Sequence, residues 1–114
     1  MYIGDYLARR EIYSPERLAI VDTGKEPAWR LTYRQMNERA SRFANWLQDA
    51  GVQRGDREAI LARDGVEDLD CFFACSKLGA IHTALNWRLH WRELERIVET
   101  TTPSVLITSD DFKE

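Results

Sequence analysis

The sequence predicts an α/β fold: an incomplete parallel sheet of βαβαβ type flanked by helices, with an N-terminal helix and a β-hairpin ahead of it. Three observations carry that prediction. In the second half, short apolar runs at Glu58–Ala62, Ala80–Leu85 and Ser104–Thr108 alternate with stretches of helical spacing, the pattern of parallel strands joined through helices. Between residues 32 and 51 one long amphipathic segment has both a start and a stop signal. Near the N-terminus, two short apolar runs flank a Gly/Pro-containing turn, which reads as a hairpin.

Residues 3–12 are expected to form a short amphipathic helix with Ile3, Tyr6 and Leu7 on one face, interrupted at Ser14-Pro15. The hairpin strands are Leu18–Val21 and Trp29–Tyr33, around Thr23-Gly24-Lys25-Glu26-Pro27. Thr32 followed three residues later by Gln35 is a capping-box pattern. Met36, Ala40, Phe43, Ala44 and Leu47 then recur at helical spacing, and Gly51 supplies the stop. Gly55-Asp56 turns the chain into the first strand of the parallel set. Asp64 and Glu67 form a second capping pattern, ahead of a helix carrying Leu69, Cys71, Phe72, Phe73, Ala74, Cys75 and Leu78. That helix is apolar on most sides, so it is expected to be buried on most sides. Trp91, Leu94, Ile97 and Val98 mark one more helix, ended by Pro103. A parallel sheet of about three strands has open edges and an uncovered face. A homodimer that covers them is therefore one expectation.

The composition narrows the function classes. Of 114 residues, 44% are hydrophobic and 31% charged, enough for a core and against disorder. The net charge of -3, with signs interspersed, supplies no basic patch for nucleic acid or an anionic membrane. No apolar run approaches the roughly 20 residues of a membrane span. The N-terminus lacks the basic start and apolar stretch of a signal peptide, so the expected location is the cytoplasm.

Cys71 and Cys75 stand at i, i+4 on a predicted helix, a poor disulfide geometry. Neither His82 nor His90 forms a familiar metal-ligand spacing with them. They read as small buried thiols, and no metal site is expected. His82 reads as a satisfied core or edge histidine on a strand, and His90 as a capping or exposed residue near a helix start. Capping and packing explain Thr32 and Tyr33. Trp87 and Trp91 read as aromatic cover over a helix end. No nucleophile triad is visible, and no catalytic residue is assigned.

Three stretches in order resemble the N-terminal region of adenylate-forming enzymes. Leu31-Thr32-Tyr33-Arg34-Gln35-Met36-Asn37-Glu38-Arg39-Ala40 is similar to the family's Leu-Thr-Tyr-x-Glu-Leu-x-x-x-Ala block, with Gln35-Met36 in place of Glu-Leu. Leu47 through Asp56 carries the Gly51-Val52-x-x-Gly55-Asp56 turn. Phe73-Ala74-Cys75-Ser76-Lys77-Leu78-Gly79-Ala80-Ile81-His82, running into Leu85-Asn86-Trp87-Arg88-Leu89, resembles a third block in which proline is common where Ala84 stands. The Leu-Asn-Trp-Arg-Leu version looks more like acyl- or aryl-CoA ligases than peptide-synthetase domains.

The resemblance implies that residues 1–114 are the N-terminal α/β segment of an adenylate-forming domain. For a complete enzyme it implies ATP, magnesium and CoA as cofactors and a carboxylic acid as substrate. Such an enzyme joins acid and ATP into an acyl-adenylate with release of pyrophosphate, and the CoA thiol then displaces AMP. The family's Gly/Ser/Thr-rich phosphate loop ending in lysine has no counterpart among the six scattered glycines here. The family's magnesium-associated glutamate, ribose-binding aspartate and late lysine cannot be mapped onto this sequence either. Inactivity of the chain alone is the expectation, with a non-catalytic self-association or partner-binding module as the alternative. In some relatives basic residues just after the final strand approach the CoA phosphates, and Lys113 is the one candidate here.

Overall fold

The computed structural model describes residues 5–63 and 65–108. Along the chain run α1 (Tyr6–Tyr13), β1 (Leu18–Asp22), β2 (Trp29–Thr32), α2 (Tyr33–Asp49), β3 (Arg57–Leu61), α3 (Val66–Leu78), β4 (Ile81–Ala84), α4 (Trp91–Thr101) and β5 (Val105–Thr108). β1 and β2 pair antiparallel as a hairpin. The second sheet has the order β4-β3-β5 and is parallel throughout. The expected α/β architecture is present, with strand ends displaced by about one residue, as is common where ends fray.

Local chemistry explains most of these boundaries. At the start of α2 the Thr32 hydroxyl accepts from the Gln35 N–H at 3.2 Å, and the Gln35 side chain accepts from the Thr32 N–H at 2.8 Å. The capping box is complete, and such a cap contributes about 1 kcal/mol. Gly51 follows the end of α2 at φ 97°, and Gly79 ends α3 at φ 77°. Both are left-handed positions that favour glycine. At Gly79 a Cβ would also meet the Arg54 side chain at 3.0 Å.

The core lies in two clusters joined by the packing of α2 against α3. Ala44, Leu47, Val52, Ala74 and Cys75 form one, with Val105 and Ile107 of β5 against it. Leu7, Met36, Ala40 and Val66 form the other, beneath the hairpin. Leu7 is the buried anchor of α1, whereas Tyr6 is exposed. Ile3, expected beside them, lies outside the described residues.

Two expectations are corrected. The helix of Phe72 and Phe73 is not buried on most sides: Leu69 and Phe72 are exposed, and Phe73 is half-buried. α2 covers one face of α3 and the sheet covers another, while Leu69 and Phe72, three residues apart, share the side that is only partly covered. The second correction concerns the start of α3. Asp64 lies outside the described residues, and Gly65 at the N-cap position makes no side-chain cap. The Val66 N–H donates instead to Oδ2 of Asp22, at 3.0 Å, from the end of β1. The same carboxylate accepts from the Gly24 N–H and from Lys25, and these bonds hold it well below the usual carboxylate range, at about 2. The hairpin is thereby tied to the parallel unit by a cap supplied across the fold.

α4 shows the reverse imbalance. Its apolar stripe of Leu94, Ile97 and Val98 is only half-buried, and no residue of the helix is fully buried. His90 caps it, its Nδ1 accepting from the Arg92 N–H at 3.2 Å, as expected for a histidine at a helix start.

Candidate functional site

The C-terminal ends of β3 and β4 open into a cleft of about 250 Å³, lined among others by Ile60, Asp68, Leu85, Asn86, Trp87 and Arg88. In open α/β sheets, ligands bind beyond the carboxyl ends of the strands, near where successive connections leave in opposite directions. Here β3 is central, β4 lies on one side and β5 on the other, so the cleft occupies that region. The segment after β4 is shaped by Asn86: its Oδ1 accepts from the Arg88 N–H at 3.0 Å, and its carbonyl accepts from the Leu89 N–H at 3.1 Å. Trp87 lies within 4.7 Å of the Arg63 guanidinium and 4.9 Å of that of Arg88, measured to the ring centroid. These cation–π contacts hold an aromatic face and positive charge together at the rim. Trp91 is exposed and is accompanied instead by Arg92 and the His90 ring, so the two tryptophans have separate surroundings.

Behind the cleft lies a buried polar cluster. Glu58 of β3 and His82 of β4 are partners in the parallel register, and their side chains meet, Nδ1 to Oε2 at 2.6 Å. Nε2 of His82 faces Oδ1 of Asp68 at 3.1 Å, and Asp68 lines the cleft. Glu58 is 0% exposed, and Cys75 of α3 approaches its Oε2 with Sγ at 3.4 Å. The Phe72 ring meets the His82 ring edge-on at 5.9 Å. Burial pulls the His82 pKa down, but the hydrogen bond to Glu58 and the charges of Glu58 and Asp68 outweigh it, and the net direction is up. Burial, followed by the charge of Glu58, pushes both thiols far above the usual thiol range. Without a bound cation such thiols stay protonated at neutral pH, and Cys71 and Cys75 are the small buried thiols expected.

The structure therefore joins Cys75 and His82, which spacing alone left unconnected, and leaves His90 elsewhere. Glu58 and Asp68 were missed. A readable signal existed for Glu58: a carboxylate inside an otherwise apolar strand requires a partner. The matching polar residue of the next parallel strand is His82. Lys113 lies outside the described residues.

Helices packed on a parallel β4-β3-β5 sheet, with a cleft at the carboxyl end of its strands, define an α/β scaffold. The model of the AMP-binding enzyme family matches residues 8–114, and the chain belongs to that family. Feruloyl-CoA synthase of an Amycolatopsis species is 36% identical over 112 residues, 98% of this chain and 22% of that protein. A long-chain-fatty-acid–CoA ligase of Mycobacterium tuberculosis is 36% identical over 105 residues, 92% of this chain and 20% of the relative. The chain thus spans about a fifth of the length of the curated relatives it matches.

Among solved structures, the N-terminal domain of FACL13 from Mycobacterium tuberculosis superposes with a TM-score of 0.87 at 35% identity, covering 95% of this chain and 27% of that one. The O-succinylbenzoate Coenzyme A synthetase of Bacillus subtilis, solved with ATP and magnesium ion, gives a TM-score of 0.86 at 27% identity, covering 96% and 29%. The part of the family that this chain resembles is its N-terminal portion. No helix among the described residues is long and apolar enough to cross a membrane.

Proposed function

We propose that this chain is the N-terminal scaffold segment of an ATP-dependent, AMP-forming acid–CoA ligase. The observation that carries the reading is the family match across residues 8–114. Relatives such as feruloyl-CoA synthase and the long-chain-fatty-acid–CoA ligase are named for that chemistry. The substrate would be a carboxylic acid, with ATP, magnesium and CoA as cofactors of the complete enzyme. The expected place of work is the cytoplasm.

This chain's own residues do not make a triphosphate site. Its glycines are dispersed along the sequence, and no Gly/Ser/Thr-rich loop ends in lysine. No step of the reaction is assigned to them. What the segment contributes is scaffold, together with a cleft whose rim carries Trp87, Arg63 and Arg88. Lys113, just beyond the final strand, is the proposed additional contact to the CoA phosphates. The chain alone is expected to release no pyrophosphate from ATP and magnesium with a panel of fatty and aryl acids and CoA. Acid-dependent release above a protein-free control would overturn the scaffold reading.

A specific observation favours self-association as a second reading. Among the described residues β4 and β5 are both edges of the parallel sheet, and Ile81 and Leu106 on them are about half exposed, at 51% and 50%. Unpaired edges with apolar side chains favour pairing with another copy. Size exclusion with light scattering is expected to show a dimer. A constant monomer mass up to ~100 μM, where transient association is already felt, would remove this reading.

A further inference from the structure

We propose that Glu58, Cys75 and His82 form a binding site for one zinc-type divalent cation, enclosed between β3, β4 and α3. Their ligand atoms all lie within 4.8 Å of one another. Two come from neighbouring strands in fixed parallel register, and the third comes from the helix packed over them. Zinc bonds of about 2.0–2.3 Å place tetrahedral ligand atoms roughly 3.3–3.7 Å apart. In the structure Nδ1 and Sγ lie 2.6 and 3.4 Å from Oε2.

A second observation points to a ligand at the same place. Oε1 of Glu58 is fully buried and has no hydrogen-bond partner among the described residues. A buried carboxylate oxygen without a donor is costly; the other oxygen, Oε2, is the one that meets Nδ1 and Sγ, and a cation bound there would neutralise the carboxylate to which Oε1 belongs. The outer partner is also present. With metal on Nδ1, the Nε2–H of His82 donates to Asp68, the carboxylate–histidine–metal arrangement that orients the ring and raises its basicity. Asp68 is partly exposed, at 35%, and lines the cleft, so the outer partner of the histidine reaches solvent.

One carboxylate, one thiolate and one imidazole are a poor set for calcium or magnesium, which take oxygen ligands. The set suits zinc or cobalt(II), with a fourth position for water. On binding, the Cys75 thiol proton and any proton on Nδ1 leave to solvent, and an S–H bond is replaced by an S–metal bond with no change of oxidation state.

The test titrates the reduced, chelator-stripped full chain with cobalt(II). The expected result is one equivalent bound, with a thiolate-to-cobalt charge-transfer band in the near ultraviolet that one equivalent of zinc abolishes. Cys71→Ser should keep the band. Cys75→Ser should lose it, and His82→Gln should weaken binding by at least ~10-fold. Absence of the band in the wild type, or binding undiminished in Cys75→Ser, overturns the site. Should Cys75→Ser fail to fold by circular dichroism, the wild-type and Cys71→Ser spectra decide, and a missing band in both has the same meaning.

Discussion

Leu47→Ala is expected to lower the stability of the chain by about 3–5 kcal/mol, the range for a large aliphatic side chain removed from a packed site. Leu47 is 0% exposed and belongs to the cluster of Ala44, Val52, Ala74 and Cys75. Two of those neighbours are alanines, with no longer side chain to swing into the space. The loss therefore combines the transfer of the leucine's methyl and methylene groups with a cavity that the site fills poorly. Urea denaturation read by circular dichroism measures it. A difference below ~1 kcal/mol would show that α2 and α3 are not packed as described.

Arg39→Ala is expected to cost about 2–3 kcal/mol. Arg39 of α2 donates from Nε and Nη2 to both carboxylate oxygens of Asp70 on α3. That hydrogen bonding raises the already high Arg39 pKa, so the guanidinium is charged at every accessible pH. The Asp70 side chain is 8% exposed. Removing one partner of a fully buried pair costs about 3–5 kcal/mol, because it strands the other charge. The figure here is smaller because the Arg39 side chain is 32% exposed, and water can reach the carboxylate once the guanidinium is gone. The double variant Arg39→Met with Asp70→Leu should recover most of the loss, since apolar groups of similar volume need no partner. A double variant as unstable as Arg39→Ala alone would show that packing of the arginine stem, and not the stranded charge, sets the cost.

Features carried by near neighbours in the chain were legible before the fold was known. The Thr32–Gln35 box, the stop at Gly51 and the turn through Gly79 depend on residues within about one helical turn. The three apolar strand runs were legible because length and flanking turns separate short strands from helices. The family resemblance followed from the order of the same local blocks. The cleft at the strand ends was not legible. Its lining comes from β3, the loop after it, α3 and the Asn86–Arg88 segment, which meet only when the sheet has formed. α3 misled because its composition reports how apolar a helix is, and not how many of its sides find a neighbour. Leu69 and Phe72 are as apolar as a core demands, yet each keeps more than a third of its surface exposed.

The sequence by itself determined the element order, the parallel βαβαβ unit, the hairpin, the principal caps and membership of the family. The structural features rest on propensity, periodicity or spacing, which are properties of residues close together along the chain, and the family on the resemblance of its blocks to known members. Only the tertiary structure decided that Asp22 caps a helix 44 positions away, that Arg39 clasps Asp70 across 31, and that Glu58 finds His82 across 24. The physical reason is the same in each case. A buried charge must be met by a partner, but the sequence shows only the need; strand register and helix packing choose which residue answers it.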